Sequence, residues 1–236
     1  MEKIDKKAID KIAYAARFEI YQRAKTTHST VPTVLQLFRP DHAASVHCIE
    51  YDESTPLGVH GIGKDRYEVA GLFDPQRGVI RVSPKFSYEV RRFTGAHELG
   101  HYFLHAGSGM TLHRDRPLDG SSIGLDKQER EANYFAGIFL APDDIVRKAY
   151  ATKFGQKPLY LTDGVAFALK GKDADELMRT SGTGSRGLSR AVAAATQFGS
   201  GNRFQSLAAT FGLSNTAMAI RLEELGLVEE PGVTID

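Results

Sequence analysis

Two histidines stand four residues apart in the stretch G-A-H-E-L-G-H, with a glutamate directly after the first. On an α-helix, residues i and i+4 project from one face about 6 Å apart, so His97 and His101 can hold one metal ion between them. Glu98 lies about 60° around the helix from His101, where its carboxylate can reach a water nucleophile without displacing a ligand. This pattern is typical of hydrolytic zinc sites. Two buried histidines with ordinary hydrogen-bond partners are the alternative.

A hydrolytic zinc site needs a third protein ligand and one open position. His105 follows His97 by eight residues, about 12 Å of helical rise, and cannot share the ion, so we expect it to meet carbonyls at the helix end. The metzincin continuation of the motif also fails, because Leu104 and Gly107 stand where its glycine and histidine belong. The acids of the next predicted helix are therefore the remaining candidates.

Two glutamates in the stretch E-R-E-A-N compete for this role. On a helical projection Glu129 falls inside the apolar arc that includes Phe135 and Phe139, whereas Glu131 falls about 200° away from Glu129. An acid on the core-facing side needs a partner, which a metal ion would supply. The alternative is a capping box between Glu129 and Asp126.

Supporting side chains are more difficult to assign. Asn133, one turn after Glu129, is placed to orient a ligand through a hydrogen bond. Charge on the reacting carbonyl also needs a donor. Tyr102, His113 and Tyr134 are close in sequence, but both tyrosines fall on outward faces, so we select none of the three.

Changes in the residue pattern along the chain indicate the helices and strands that must position these residues. Apolar residues at helical spacing over 4–24 predict an amphipathic opening helix, and short β-like runs between 45 and 83 indicate a small, mostly antiparallel sheet. The last run, 79–83, either offers its edge to an extended substrate or is an ordinary hairpin strand.

Capping signals set the ends of the two chemistry-bearing helices. Ser83 or Ser87 begins the histidine helix, which should stop near Gly107. Asp126 begins the next helix, and Pro142 closes it. The segment 106–125 is rich in Gly, Ser, Asp and Pro and is interpreted as a loop.

The C-terminal part has a different character. Residues 179–187 have the composition of a flexible linker, and G-T-G-S-R-G within them has no preceding strand to make it a nucleotide-binding loop. Residues 188–236 form a helical unit that resembles a helix-turn-helix. Residues 203–236 hold two basic against five acidic side chains, which disfavours DNA binding and favours packing or substrate docking.

Composition excludes several classes. The 236 residues are 42% hydrophobic and 25% charged with a net charge of +1, so no global field selects nucleic acid or anionic membrane. A single cysteine, Cys48, excludes an internal disulfide and a Cys-based zinc cluster. Without an apolar leader or a membrane-length run, we expect a soluble, cytoplasmic protein that does not associate with membranes.

The stretches R-R-F-T-G-A-H-E-L-G-H and E-R-E-A-N-Y-F-A-G-I-F-L-A-P together resemble the ImmA/IrrE family of metallo-endopeptidases. The resemblance covers roughly 43–146, and 203–228 more loosely. It implies an α+β, compact zincin-like fold in which His97 and His101 bind zinc and Glu98 is the catalytic acid. The E-x-x-A-N pattern of the family implies Glu129 as the third ligand.

The resemblance also implies a function and a partner. Members of the family cleave helix-turn-helix repressors of mobile elements or DNA-damage regulons, so that proteolysis relieves repression. We therefore expect a metallopeptidase domain over 1–178, with a helical lead over 1–42 and the sheet and catalytic helices over 43–146. One zinc ion is expected per chain, although such ligands also accept other divalent transition metals. A non-catalytic, metal-containing regulator that binds DNA or a partner protein through its C-terminal unit is the alternative.

Overall fold

The computed structural model describes residues 3–27, 32–61, 63, 66–108, 113–115, 126–181 and 185–229. The fold is α+β, as predicted, and its contacts divide the chain into two compact units, Met1–Leu140 and Ala141–Asp236. The sequence places the domain boundary later, at the linker over 179–187, of which 182–184 lie outside the described residues. That domain assignment stays a prediction.

The first unit contains the predicted sheet and the helices that bear the candidate ligands. Its elements are α1 (Lys6–Thr27), α2 (Val34–Leu37), α3 (Pro40–Val46), β1 (Glu50–Asp52), β2 (Val59–His60), β3 (Tyr67–Glu68), β4 (Gly71–Asp74), β5 (Val79–Val82), α4 (Tyr88–His105), β6 (His113–Asp115) and α5 (Lys127–Leu140).

The four-stranded sheet has the order β1-β5-β4-β6. Strand β4 pairs antiparallel with β5 and with β6, whereas β1 pairs parallel with β5, with Tyr51 opposite Ile80. The expectation of a small, mostly antiparallel sheet is therefore confirmed. Two details correct the sequence interpretation. Strand β6 lies inside the segment interpreted as a loop, and β5 lies between two partners, so it has no edge to offer to a substrate.

Strands β4 and β5 are joined by a turn whose chemistry is local. The Asp74 carboxylate accepts hydrogen bonds from the amides of Gln76 and Arg77 at 3.0 and 3.2 Å. Gly78 closes the turn at φ +65°, a conformation that favours glycine. The hairpin therefore fixes the register that brings Gly71 opposite Val82.

Helix ends follow the capping signals. The Ser87 hydroxyl accepts from the Val90 amide, so α4 begins at the later of the two predicted positions. The Asp126 carboxylate accepts from the Glu129 amide at 2.9 Å, which confirms Asp126 as the cap of α5. Helix α1 buries Ile9, Ala13, Ala16 and Ile20, the apolar face that its sequence predicts.

An aromatic core surrounds α5. The rings of Phe135 and Phe139 stack with centroids 5.7 Å apart, and Phe103 of α4 lies 5.5 Å from Phe135. Burying each such ring contributes about 2 to 3 kcal/mol. This packing holds α5 against α4, so polar groups on either helix are fixed relative to the other.

The second unit is mostly helical. Its elements are α6 (Asp143–Phe154), β7 (Leu159–Tyr160), α7 (Asp163–Lys170), α8 (Ala174–Thr180), α9 (Gly187–Ala194), α10 (Leu207–Phe211), α11 (Asn215–Glu224) and β8 (Val228–Glu229). Helices α10 and α11 form the predicted helix-turn-helix-like pair, with Gly212 at φ +61° between them and Ser214 capping α11. Among the described residues, no helix has the length and apolar character to cross a bilayer.

Candidate metal centre

The site lies where α4 crosses α5 at close range. A Cβ on Gly100 would meet the Cα of Ala132 at 3.0 Å, a tight contact, so glycine at this position allows the two helix backbones to approach this closely. Ala132 is fully buried at this crossing. Side chains one turn to either side can therefore reach from one helix to the other.

The predicted ligand atoms converge at this crossing. The Nε2 atoms of His97 and His101 lie 2.9 Å apart, and the Glu129 carboxylate oxygens lie 3.5 and 3.3 Å from them. Both histidines are 0% exposed, and the Glu129 side chain is 14% exposed. The structure therefore brings together two imidazoles and one carboxylate with only the carboxylate open to solvent.

These separations fit one divalent ion. A tetrahedral zinc ion with ligands at about 2.0 to 2.1 Å places its ligand atoms about 3.3 Å from one another. The candidate donor atoms of His97, His101 and Glu129 all lie within 4.8 Å of one another, and their closest separations fall around that length. Two imidazole nitrogens and one carboxylate are also the donor set of hydrolytic zinc.

Asn133 lies where the sequence predicts, behind one of the histidines. Its Oδ1 lies 2.9 Å from His97 Nδ1 and can accept the proton of that nitrogen. A proton on Nδ1 leaves the lone pair of His97 on Nε2, the atom that faces His101 and Glu129. The amide therefore selects the tautomer in which His97 can bind a metal.

Glu98, the predicted catalytic residue, follows His97 directly in α4 and is 0% exposed. Strand β4 packs over it, because a Cβ on Gly71 would collide with the Glu98 carboxylate and with the Thr94 methyl group. The absence of a side chain at Gly71 thus makes room for the carboxylate. Helix α4 presents Glu98 toward the sheet side of the site.

Tyr51 of β1 is a neighbour that the sequence analysis did not select. Its hydroxyl lies where a Cβ on Gly95 would be, and it donates a hydrogen bond to Glu53 at 2.9 Å. Burial, with the nearby Glu53 carboxylate and a smaller contribution from Glu98, raises the pKa of Tyr51 well above its usual range. In the sequence, only the glycine at 95 points to this contact, because residues so far apart along the chain form no local pattern.

The contacts of His105 differ from those expected from the sequence. It does not simply cap the end of α4: its Nδ1 lies 3.3 Å from His101 Nδ1, and its Nε2 lies 3.0 Å from the Glu131 carboxylate. The helical rise still separates His105 from the proposed metal position, but the partners of His105 are side chains. Glu131 lies outside the apolar arc of α5, and it contacts His105, the last residue of α4.

The three residues considered as charge-stabilising donors do not gain support. Tyr134 donates to Asp10 of α1 at 3.0 Å, and Tyr102 packs edge-on against Phe73. The side chain of His113 lies outside the described part of the chain.

Arg221 shows why α11 lacks the side chain expected of a DNA-reading helix. It is 2% exposed, and it donates to the Ala141 carbonyl at 3.0 Å and to Glu224 at 2.9 Å. It also pairs with Asp143. The cation of α11 that could face a phosphate is thus used inside the second unit.

Comparisons with known proteins agree with this architecture. Residues 54–157 match the family model described as the IrrE N-terminal-like domain, a model of peptidases. The chain is similar to "Uncharacterized immunity region protein 2" of Bacillus phage phi105, with 32% identity over 114 residues, which are 47% of this chain and 70% of that protein.

A small mixed sheet packed beside a helix with the H-E-x-x-H residues defines a zincin-like protein of the metallopeptidase type. Within that class, this chain belongs to the IrrE N-terminal-like family. The family match ends at residue 157. The looser resemblance over 203–228 therefore stays a prediction.

Proposed function

We propose that this chain is a zinc-dependent endopeptidase, with one ion held by His97, His101 and Glu129. The observation that carries the proposal is the convergence of three ligand atoms within 4.8 Å of one another, with the buried Glu98 next to His97 on the same helix. Packing alone gives no reason for two buried imidazoles and a carboxylate to converge at one helix crossing. Membership of a metallopeptidase family supports the same conclusion.

The roles of the residues follow from their places. A divalent ion held by His97, His101 and Glu129 would lower the pKa of the attacking water and would polarise the scissile carbonyl. Glu98 takes a proton from that water at its carboxylate and later gives it to the leaving amine. Asn133 holds His97 in the tautomer that presents Nε2. The covering strand β4 keeps bulk water away from Glu98, which strengthens its electrostatic interaction with the reacting atoms.

We propose a helix-turn-helix transcriptional repressor as the substrate, so that cleavage relieves repression. The resemblance to repressor-cleaving peptidases supports this choice. The relative from Bacillus phage phi105 is described as an immunity region protein, which supports a repressor-related context. The non-catalytic, DNA-binding alternative is not favoured, because Arg221 of α11 is buried among its own partners.

The decisive experiment incubates the repressor encoded nearest to this gene with zinc-loaded wild type or Glu98→Gln and reads intact masses. Wild type should give site-specific fragments, and Glu98→Gln should cut at least about 100-fold more slowly. Zinc content should remain one per chain in both, since Glu98 is not a proposed ligand.

Glu89→Gln is the matched control. It makes the same chemical change in the first turn of α4, about 13 Å along the helix from Glu98, and it should cleave like wild type. Equal fragmentation by Glu98→Gln and wild type would contradict the role of Glu98. An intact repressor with fully zinc-loaded wild type would contradict the proposed substrate.

A further inference from the structure

The far side of His101 is occupied by a chain of polar groups that the proposed mechanism does not use. His105, the last residue of α4, is 5% exposed and lies between two partners. Its Nδ1 lies 3.3 Å from His101 Nδ1, and its Nε2 lies 3.0 Å from Glu131 Oε2. Three side chains from two helices thus form one line: His101, His105, Glu131.

The direction of the hydrogen bonds along this line follows from which nitrogen of His101 faces the proposed metal position. His101 Nε2 faces His97 and Glu129, so an ion bound there takes the lone pair of Nε2 and leaves the proton on Nδ1. That proton is donated to His105 Nδ1, which must then be an acceptor. The proton of His105 is therefore on Nε2, where the Glu131 carboxylate accepts it.

The second arrangement of protons would have the opposite consequence. If Glu131 held His105 with protons on both nitrogens, His105 would donate to His101 Nδ1. His101 would then carry its proton on Nε2, pointing at His97 and Glu129, and could not bind an ion. The two arrangements cannot coexist in one molecule. The proton of His101 is therefore on Nδ1 if His105 supports a metal ligand, and on Nε2 if His105 and Glu131 form only an ion pair at the helix end.

We propose that His105 and Glu131 are positioning residues, which hold His101 in the tautomer and ring orientation that present Nε2 to the metal. The inference rests on the proposed function, because it assigns a use to the same ion. It makes the support of the two histidines different in kind: the amide of Asn133 lies at Nδ1 of His97, whereas a histidine and a carboxylate in series lie at Nδ1 of His101. Outer partners of this kind typically change metal affinity by about 10- to 100-fold.

The test measures the Zn²⁺ dissociation constant by competition with a chromophoric chelator, without any substrate. His105→Leu should bind Zn²⁺ about 10- to 100-fold more weakly than wild type. His105→Asn should recover most of that loss, because an amide oxygen can accept from His101 Nδ1 as Asn133 does from His97. Glu131→Gln, which retains an acceptor and loses the charge, should lose less than His105→Leu. Glu176→Gln, an exposed carboxylate on α8, is the control and should bind like wild type.

Long-range ¹H–¹⁵N spectra of zinc-loaded wild type provide the second readout. They should show His101 protonated on Nδ1 and His105 protonated on Nε2. Unchanged affinity in His105→Leu, or a proton on His101 Nε2, would overturn the inference. Thermal unfolding of each variant identifies a loss of fold, in which case His105→Asn and the wild-type spectra decide the question.

Failure here and failure of the proposed function give different results. A chain that binds Zn²⁺ with the expected losses but cuts no repressor contradicts the proposed function and retains the positioning role. A chain that cuts its substrate and keeps full affinity in His105→Leu does the reverse. Wild type without any Zn²⁺ affinity overturns both.

Discussion

Both units of this chain bury ionisable side chains against helices, and they use them differently. In the second unit, Arg221 donates to the Ala141 carbonyl and to Glu224, so its charge is neutralised where it lies. In the first unit, His97 and His101 direct their Nε2 atoms at each other, 2.9 Å apart. A buried charge with opposite charges and backbone acceptors around it is explained by structure. Several electron-pair donors directed at one point form the arrangement that suits an ion.

The largest expected effect concerns the proposed ligand cluster of the first unit. His101→Ala removes one of three proposed ligands, so zinc content should fall from one ion per chain to near zero and cleavage should be lost. Metal analysis and the intact-mass assay measure both. His60→Ala, an exposed histidine of the same unit, is the control. One zinc per chain in the His101 variant would remove this site from the proposal.

The next prediction concerns the buried arginine of the second unit and uses the variant Arg221→Met. This substitution leaves the Glu224 carboxylate without its guanidinium partner in the second unit, so the free energy of unfolding should fall by about 3 kcal/mol. Zinc affinity should not change, since no proposed ligand is altered. Chemical denaturation compares this variant with Arg179→Met, an exposed arginine of α8, for which almost no change is expected. A loss of zinc without a loss of stability would contradict the division of roles.

Gly71→Ala sharpens the description of the catalytic side. The added methyl group collides with the Glu98 carboxylate and the Thr94 methyl group, so the carboxylate must move, and overpacking costs about 1 to 3 kcal/mol. We expect cleavage to slow by at least about 10-fold while zinc affinity is retained. Gly164→Ala, where a Cβ meets nothing within 4 Å, is the control. Wild-type cleavage by the Gly71 variant would contradict the packing of β4 over Glu98.

The smallest effect concerns a property that the two units share. Burial raises the pKa of Tyr51 well above its usual range and that of Tyr150 to about 12. Below about pH 10 both are neutral in the folded and unfolded chain, and above it the unfolded chain ionises first. Stability should therefore fall as pH rises above about 10. Unfolding free energies at a series of pH values should show a shallower fall in Tyr51→Phe and in Tyr150→Phe. Slopes equal to that of wild type would contradict the burial of these hydroxyl groups.

Local periodicity explains what could be predicted from the sequence. Residues four apart on a helix share a face, which brings His97 and His101 together, and the apolar arc of α5 places Glu129 on the core side. Caps at Ser87 and Asp126 need only neighbouring residues. These features depend on the conformation of one segment at a time.

Features that depend on how segments meet were out of reach. The contact between His105 and Glu131 requires the crossing of α4 over α5, and the position of Tyr51 over Gly95 requires a parallel strand pairing. Strand β6 has three residues, too few to show an alternating pattern, and its surroundings have the composition of a loop. Periodicity also could not tell that β5 has a partner on each side.

Helix α5 carries Glu129, Glu131 and Asn133 at alternate positions, and each addresses a different histidine of α4 or the space between two of them. Two apolar helix faces lose little when one slides along the other, because Phe and Ala contacts are tolerant of position. Three polar contacts to three histidines are satisfied together in one register and are all lost in the next. The α5 residues proposed to bind the metal or to orient its ligands therefore also fix the register of the two helices, which gives the pairing of α4 and α5 a single arrangement before any ion or substrate arrives.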